Sequence, residues 1–104
     1  MTRVHTPVLV EEVLRFLALK PTGVYVDCTL GTGGHALAIA ARLTTGRLIG
    51  MDKDSMALRF AQERLGTLPN SLVHSSFVHL TDVLDRLGQG SVDGLLADLG
   101  VSTP

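Results

Sequence analysis

The chain has 104 residues, 45% of them apolar, 18% charged and 4% aromatic. At roughly 100–200 residues per domain, that is one domain with a single core. Lys+Arg 9 against Asp+Glu 10 gives a net charge of −1, so no long-range basic field announces a nucleic acid. No apolar run approaches the ~20 residues that span a bilayer, and the opening residues lack a signal-peptide core. A single cysteine excludes an internal disulfide framework and fits a reducing cytoplasm.

In chain order, Leu9, Val13, Phe16 and Leu17 fall at the spacing of an amphipathic helix. Thr6 suits its cap and Pro7 its first position, where a missing N–H costs nothing. Lys20-Pro21-Thr22-Gly23 ends it. Val24–Cys28 predicts a short buried strand, Leu30–Gly34 a glycine-rich turn, and the residues from His35 a second helix with Ala36, Ile39, Ala40 and Leu43 on one face. After Gly46, Arg47–Asp52 predicts a second strand. Asp54 or Ser55 caps a third helix burying Ala57, Leu58, Ala61 and Leu65 and stopped by Gly66. Ser71–His74 reads as a third strand, a helix carrying Leu80, Val83, Leu84 and Leu87 runs to Gly88, and Val92–Asp98 is a fourth strand. Alternation of this kind argues for an α/β fold, a parallel Rossmann-like sheet with helices on both faces.

Strand, glycine turn and helix begin a nucleotide-binding unit. Glycines let the backbone approach a ligand closely, and the next helix turns its N–H groups toward it. Gly31-x-Gly33-x-x-Ala36 satisfies the dinucleotide fingerprint, and Asp52 follows Gly31 by 21 residues, where a carboxylate accepts from ribose hydroxyls. Such glycines also occur in turns that hold nothing; strand, helix and acid in register favour a nucleoside-containing ligand. Asp27, at the end of the first strand, would repel a pyrophosphate. It suits a cationic ligand such as the amino group and sulfonium of S-adenosyl-L-methionine, so charge favours a methyl donor over NAD.

The four histidines, His5, His35, His74 and His79, do not fall at metal-ligand spacings with each other or with Cys28, so no metal site is expected. His35 opens the second helix and is either a donor to the loop's ligand or a capping residue. Cys28 reads as core rather than nucleophile. Arg59, Glu63 and Arg64 read as a solvated helix face. Phe77 is equally an adenine wall or a loop anchor. Asp98 closes the fourth strand, so Asp27 and Asp98 are expected to face one crevice at the carboxyl ends of adjacent strands. The alternative for Asp98 is an ordinary strand-to-loop transition.

His5-Thr6-Pro7-Val8-Leu9, Val26–His35, Gly50-Met51-Asp52-Lys53-Asp54 and Asp93–Ser102 occur in that order. Together they closely resemble the bacterial ribosomal RNA small-subunit methyltransferase H family, the MraW methylases, over the whole chain. The resemblance implies methyl transfer from S-adenosyl-L-methionine to the exocyclic 4-amino group of a cytidine in 16S ribosomal RNA of the small ribosomal subunit, in the cytoplasm. It assigns Gly33, Gly34 and His35 to the donor's methionine and ribose region, Asp52 to the ribose hydroxyls, Phe77 to the adenine pocket, and Asp98 to completing the donor site. With Asp27 and Gly31 from the loop argument, these are the candidate cofactor residues, and Asp98 is also the candidate catalytic group. The family usually reads Ser-Ser-Pro-Gln where this chain has Ser102-Thr103-Pro104; Thr103 keeps the hydroxyl.

The resemblance also implies a seven-stranded sheet, of which residues 1–104 would supply the N-terminal, donor-binding half, truncated after the fourth strand and inactive alone. With four strands in the order 3-2-1-4, the fourth is expected to be an uncovered edge and a site of self-association. A NAD-binding oxidoreductase fragment and a non-catalytic nucleotide-binding module are the other readings of the same residues.

Overall fold

The computed structural model describes residues 10–31, 34–97 and 100–102, the last three by backbone alone. Thr6, Pro7 and Leu9 of the expected first helix lie outside them. The elements are α1 (Val10–Leu17), β1 (Val24–Asp27), α2 (Gly34–Ala40), β2 (Arg47–Asp52), α3 (Ser55–Leu65), β3 (Asn70–His74), a 3₁₀ turn (Phe77–His79), α4 (Leu80–Arg86), β4 (Gly94–Ala97) and β5 (Gly100–Ser102). The sheet order is β3-β2-β1-β4-β5. β1 pairs in parallel with β2 and β4, and β2 in parallel with β3.

Alternation along the central strands divides the core. Tyr25, Leu48 and Leu96 belong to one apolar cluster, with Val10, Leu14 and Leu17 of α1, Ala36, Ile39 and Ala40 of α2, and Ala61 and Leu65 of α3. Val26, Ile49 and Met51 turn to the other cluster, with Val83 of α4 and its partly buried neighbours Leu80, Leu84 and Leu87. A strand buried on both faces reads as a continuous apolar run because every residue has a core to enter. Each fully buried Ile, Leu or Val contributes about 1.5–3 kcal/mol by leaving water.

Three expectations need correction. The buried stripe of α1 is Val10, Leu14 and Leu17, while Phe16 is 53% exposed. Both stripes have helical spacing, but the observed one is rotated by one residue. More consequentially, β4 is not an uncovered edge. β5 pairs antiparallel with it at Leu95–Ser102, Leu96–Val101 and Ala97–Gly100, satisfying the backbone groups on which the expected self-association rested. β4 is also shorter than the expected strand, beginning at Gly94.

The amino-terminal ends of the strands are tied by loop contacts. The Pro21 carbonyl accepts from the backbone N–H of Thr44 at 2.8 Å and of Gly46 at 3.0 Å, and the Gly23 carbonyl accepts from Arg47 N–H at 3.0 Å. A Cβ at Gly46 would run into the Gly23 carbonyl oxygen and lie 2.9 Å from that of Pro21. Gly46 therefore stands where two backbones touch. Asp93 ties β1 to β4: its backbone N–H donates to the Val24 carbonyl at 2.7 Å, its Oδ2 accepts from Val24 N–H at 2.8 Å, and its Oδ1 pairs with Lys20 Nζ at 3.2 Å. The Val24 N–H and then Lys20 hold the Asp93 carboxyl below its ordinary value of 3.8.

Gly46→Ala should lower stability by about 1–3 kcal/mol, the range for overpacking, measured by urea unfolding. Because the Asp93 carboxyl is lowered in the folded state, its stabilisation is fully present above the ordinary carboxylate range and is lost as pH falls through the folded value. The urea midpoints of the native chain and of Asp93→Asn should differ most near pH 7 and converge below pH 3.8. A pH-independent gap would show that the Asp93 charge is not what stabilises this corner.

Candidate functional site

In a parallel sheet the carboxyl ends of the strands share one edge, and connecting loops there form a crevice. β1 ends at Asp27 and β2 at Asp52. The register sets Asp27 opposite Gly50 of β2 and Leu96 of β4, and Asp52 opposite His74 of β3.

Asp27 is buried, 1% exposed. Its Oδ1 accepts from Thr29 N–H at 3.1 Å, closing a tight turn out of the strand. Cys28 beside it is buried, and its N–H donates to the Leu96 carbonyl at 2.8 Å. Burial, and after it the neighbouring Asp27 charge, push the Cys28 thiol up to about 11. Cys28 packs in the apolar cluster with Val26, Ile49 and Met51, and its raised thiol leaves little thiolate at neutral pH, so the core reading of Cys28 holds.

Gly31 follows with φ +55°, and a Cβ placed there would meet nothing within 4 Å. This glycine is needed for its backbone conformation and not for space. Its N–H donates to Asp52 Oδ2 at 3.3 Å. Asp52 Oδ1 accepts from Asp54 N–H at 2.9 Å. The carboxylate after β2 is thus held from two sides, by the glycine turn and by the start of α3. Asp54 in turn caps α3, its Oδ1 accepting from Met56 N–H at 2.9 Å.

Gly34 and His35 begin α2. The His35 Nε2 is buried and has no hydrogen-bond partner among the described residues. Desolvation lowers the pKa of this half-buried ring and so favours its neutral form, which has one donor and one acceptor. A buried ring nitrogen without a partner among the described residues, at the start of the helix after the glycine turn, is a feature that calls for an account. Phe77 opens the 3₁₀ turn after β3 and is 52% exposed, with Val78 beside it at 76%. Phe77 is therefore not a core residue. Gly33 and Asp98 lie outside the described residues.

The structure brings Gly31 and Asp52 into direct contact, and strand register places Asp27 on the same edge. Sequence reasoning missed His74, whose Nε2–H donates to the Lys53 carbonyl at 2.9 Å directly after Asp52. Only the β2–β3 register exposes that pairing, since 21 residues separate the two.

The sequence matches the MraW methylase family over residues 2–104. A ribosomal RNA small subunit methyltransferase H from Symbiobacterium thermophilum is 50% identical over 95% of this chain and 32% of its own length. The chain spans about a third of the length of the curated relatives it matches. Among solved structures, TrmN from Thermus thermophilus superimposes with a TM-score of 0.72 at 28% identity, covering 88% of this chain and 27% of that one. An S-adenosylmethionine-dependent O-methyltransferase from Thermotoga maritima also gives 0.72, at 16% identity over 93% of this chain and 36% of its own. The fold is that of S-adenosylmethionine-dependent methyltransferases.

Gly31→Ala should cost about 1–2 kcal/mol through its left-handed backbone alone, because the added methyl meets open space. Gly31→Asn, which tolerates that conformation, should recover part of the loss in urea unfolding. Equal losses for the two would show that backbone conformation is not the constraint.

Proposed function

Because the chain belongs to the MraW methylase family, we propose that residues 1–104 form the N-terminal, S-adenosylmethionine-binding part of a ribosomal RNA methyltransferase. On this reading the acceptor is the exocyclic 4-amino group of a cytidine in 16S ribosomal RNA, within the small ribosomal subunit in the cytoplasm. The observation that carries the reading is the Asp52 carboxylate, fixed between Gly31 N–H and Asp54 N–H at the end of β2. A carboxylate has about four acceptor sites, and those two bonds leave about two for a ribose diol.

The residues present fit S-adenosylmethionine. Asp52 accepts from the ribose hydroxyls, and the exposed ring of Phe77 offers adenine an apolar wall. The buried Asp27 and the half-buried His35, whose Nε2 has no partner among the described residues, serve the methionine end, with Gly31, Gly33 and Gly34 allowing close backbone approach. The cofactor, when bound, supplies an electrophilic sulfonium methyl. A cytosine amino group is a poor nucleophile because its lone pair is delocalised into the ring. Asp98 accepts a hydrogen from that group, localising the lone pair and orienting it, so that catalysis is mostly approach and alignment. The target base has to leave its stack to reach such a site.

Calorimetric titration of the 104-residue chain should show saturable binding of S-adenosylhomocysteine and none of NAD. Asp52→Asn should weaken binding roughly ten- to hundredfold, as expected for charge-assisted hydrogen bonds. A preference for NAD would sink the reading. Joined to the remaining two thirds of the Symbiobacterium relative, the chain should place labelled methyl on cytidine N4 of 16S ribosomal RNA. In that chimera Asp98→Asn should depress turnover; undiminished turnover with unchanged donor affinity would remove Asp98 from the chemistry.

A further inference from the structure

We infer that His74 is a positioning residue that holds the Asp52 carboxylate ready for its ligand; the inference rests on the reading of Asp52 as the ribose acceptor. Asp52 ends β2, and the backbone leaves the sheet at Lys53 and enters α3 at Ser55. A carboxylate on such a departing strand end swings with its main chain unless that chain is fixed on both sides. On one side the Asp52 carbonyl accepts from Ser75 N–H at 3.0 Å, prolonging the β2–β3 ladder past its last pair, Asp52–His74. On the other side the next carbonyl, that of Lys53, accepts from His74 Nε2–H at 2.9 Å. Two successive carbonyls are thus held by the last residue of β3 and the one after it, His74 through its side chain and Ser75 through its backbone.

The histidine's reach explains the choice of residue. Once β2 leaves the sheet, the Lys53 carbonyl lies beyond the ladder and a backbone donor no longer serves it. A side chain projecting from the strand end is needed, with an N–H at its tip. Because the acceptor is a carbonyl, the Nε2–H tautomer and the protonated ring both donate. With Lys53 held, Asp52 Oδ1 reaches Asp54 N–H and Oδ2 reaches Gly31 N–H. His74 is exposed, so water competes for its bond, and the effect is that of one ordinary hydrogen bond, roughly three- to tenfold in affinity.

The test is a double-mutant cycle on S-adenosylhomocysteine affinity in the 104-residue chain, with thermal melts alongside. His74→Ala should weaken binding roughly three- to tenfold. His74→Gln, which keeps an N–H donor on a side chain of similar reach, should restore it to within about twofold, a rescue that loss of fold would not show. In an Asp52→Asn background, His74→Ala should add little further loss, since the group it positions is already altered. Unchanged affinity in His74→Ala, no rescue by His74→Gln, or the same loss in both backgrounds would overturn the positioning role. Failure of the unmutated chain to bind would instead overturn the ribose-acceptor reading on which the inference stands.

Discussion

Parallel pairing of β1 with both β2 and β4 is the constraint on which the molecule depends. Parallel strands need crossovers, so every loop leaving a carboxyl end emerges on one edge. Asp27 and Asp52 are far apart in sequence yet close that edge together, because Asp27 is in register with Gly50, two residues before Asp52. The same pairing buries β1 on both faces and leaves Asp27 as a buried charged-type residue at the strand's end. Burying such a group is costly unless hydrogen bonds compensate it, and the Asp27 carboxyl does accept from Thr29 N–H.

The opposite edge supplies the rigidity. Pro21 and Gly23 lend their carbonyls to the segment entering β2, while Asp93 binds Val24 through both main chain and side chain. The Tyr25 hydroxyl, otherwise a buried polar group, accepts from Lys20 N–H at 2.8 Å. These contacts fix where β1, β2 and β4 begin, and the rigid ladder transmits that setting to where they end. The amino-terminal corner therefore sets where the three strands begin, with Gly46 and Asp93 at its closest backbone contacts.

The elements themselves were legible because punctuation and periodicity agreed. Asp54 caps α3 and Gly66 ends it as the sequence suggested, and apolar runs over Val24–Cys28 and Arg47–Asp52 contain the observed strands. The approach of Asp52 to the glycine turn was legible as well, because its spacing from that turn follows from a chain-local unit. Features that depend on contacts between distant segments were not. β5 is three residues long and carries no hydrophobic alternation of its own; it exists through its pairing with β4. Asp93 looked like an ordinary residue at the head of a strand, and its side-chain bond to Val24 spans 69 positions. The stripe of α1 was misread by one residue because Val13, Phe16 and Leu17 keep helical spacing as well as Val10, Leu14 and Leu17 do. Which stripe is buried is settled by the sheet beneath it.

On the proposed reading, the charge of the glycine turn favours one of two ligands that its backbone shape leaves equal. A turn of this form accepts a pyrophosphate when its N–H groups face the phosphates and no acid stands nearby. Here Gly31 N–H is already committed to Asp52, and Asp27 sits buried four residues before Gly31. Between Val24 and Ala41 the sequence has no Lys or Arg to offset those acids. A diphosphate would bring its negative charges against the two carboxylates in a setting partly shielded from water, where repulsion is stronger than in bulk solvent. On the proposed reading, a ligand with a diol, an ammonium and a sulfonium relieves that repulsion, with Asp52 as a hydrogen-bond acceptor and Asp27 as a counter-charge. The same strand, turn and helix can therefore serve two unrelated chemistries, with the acids at its edge setting the choice.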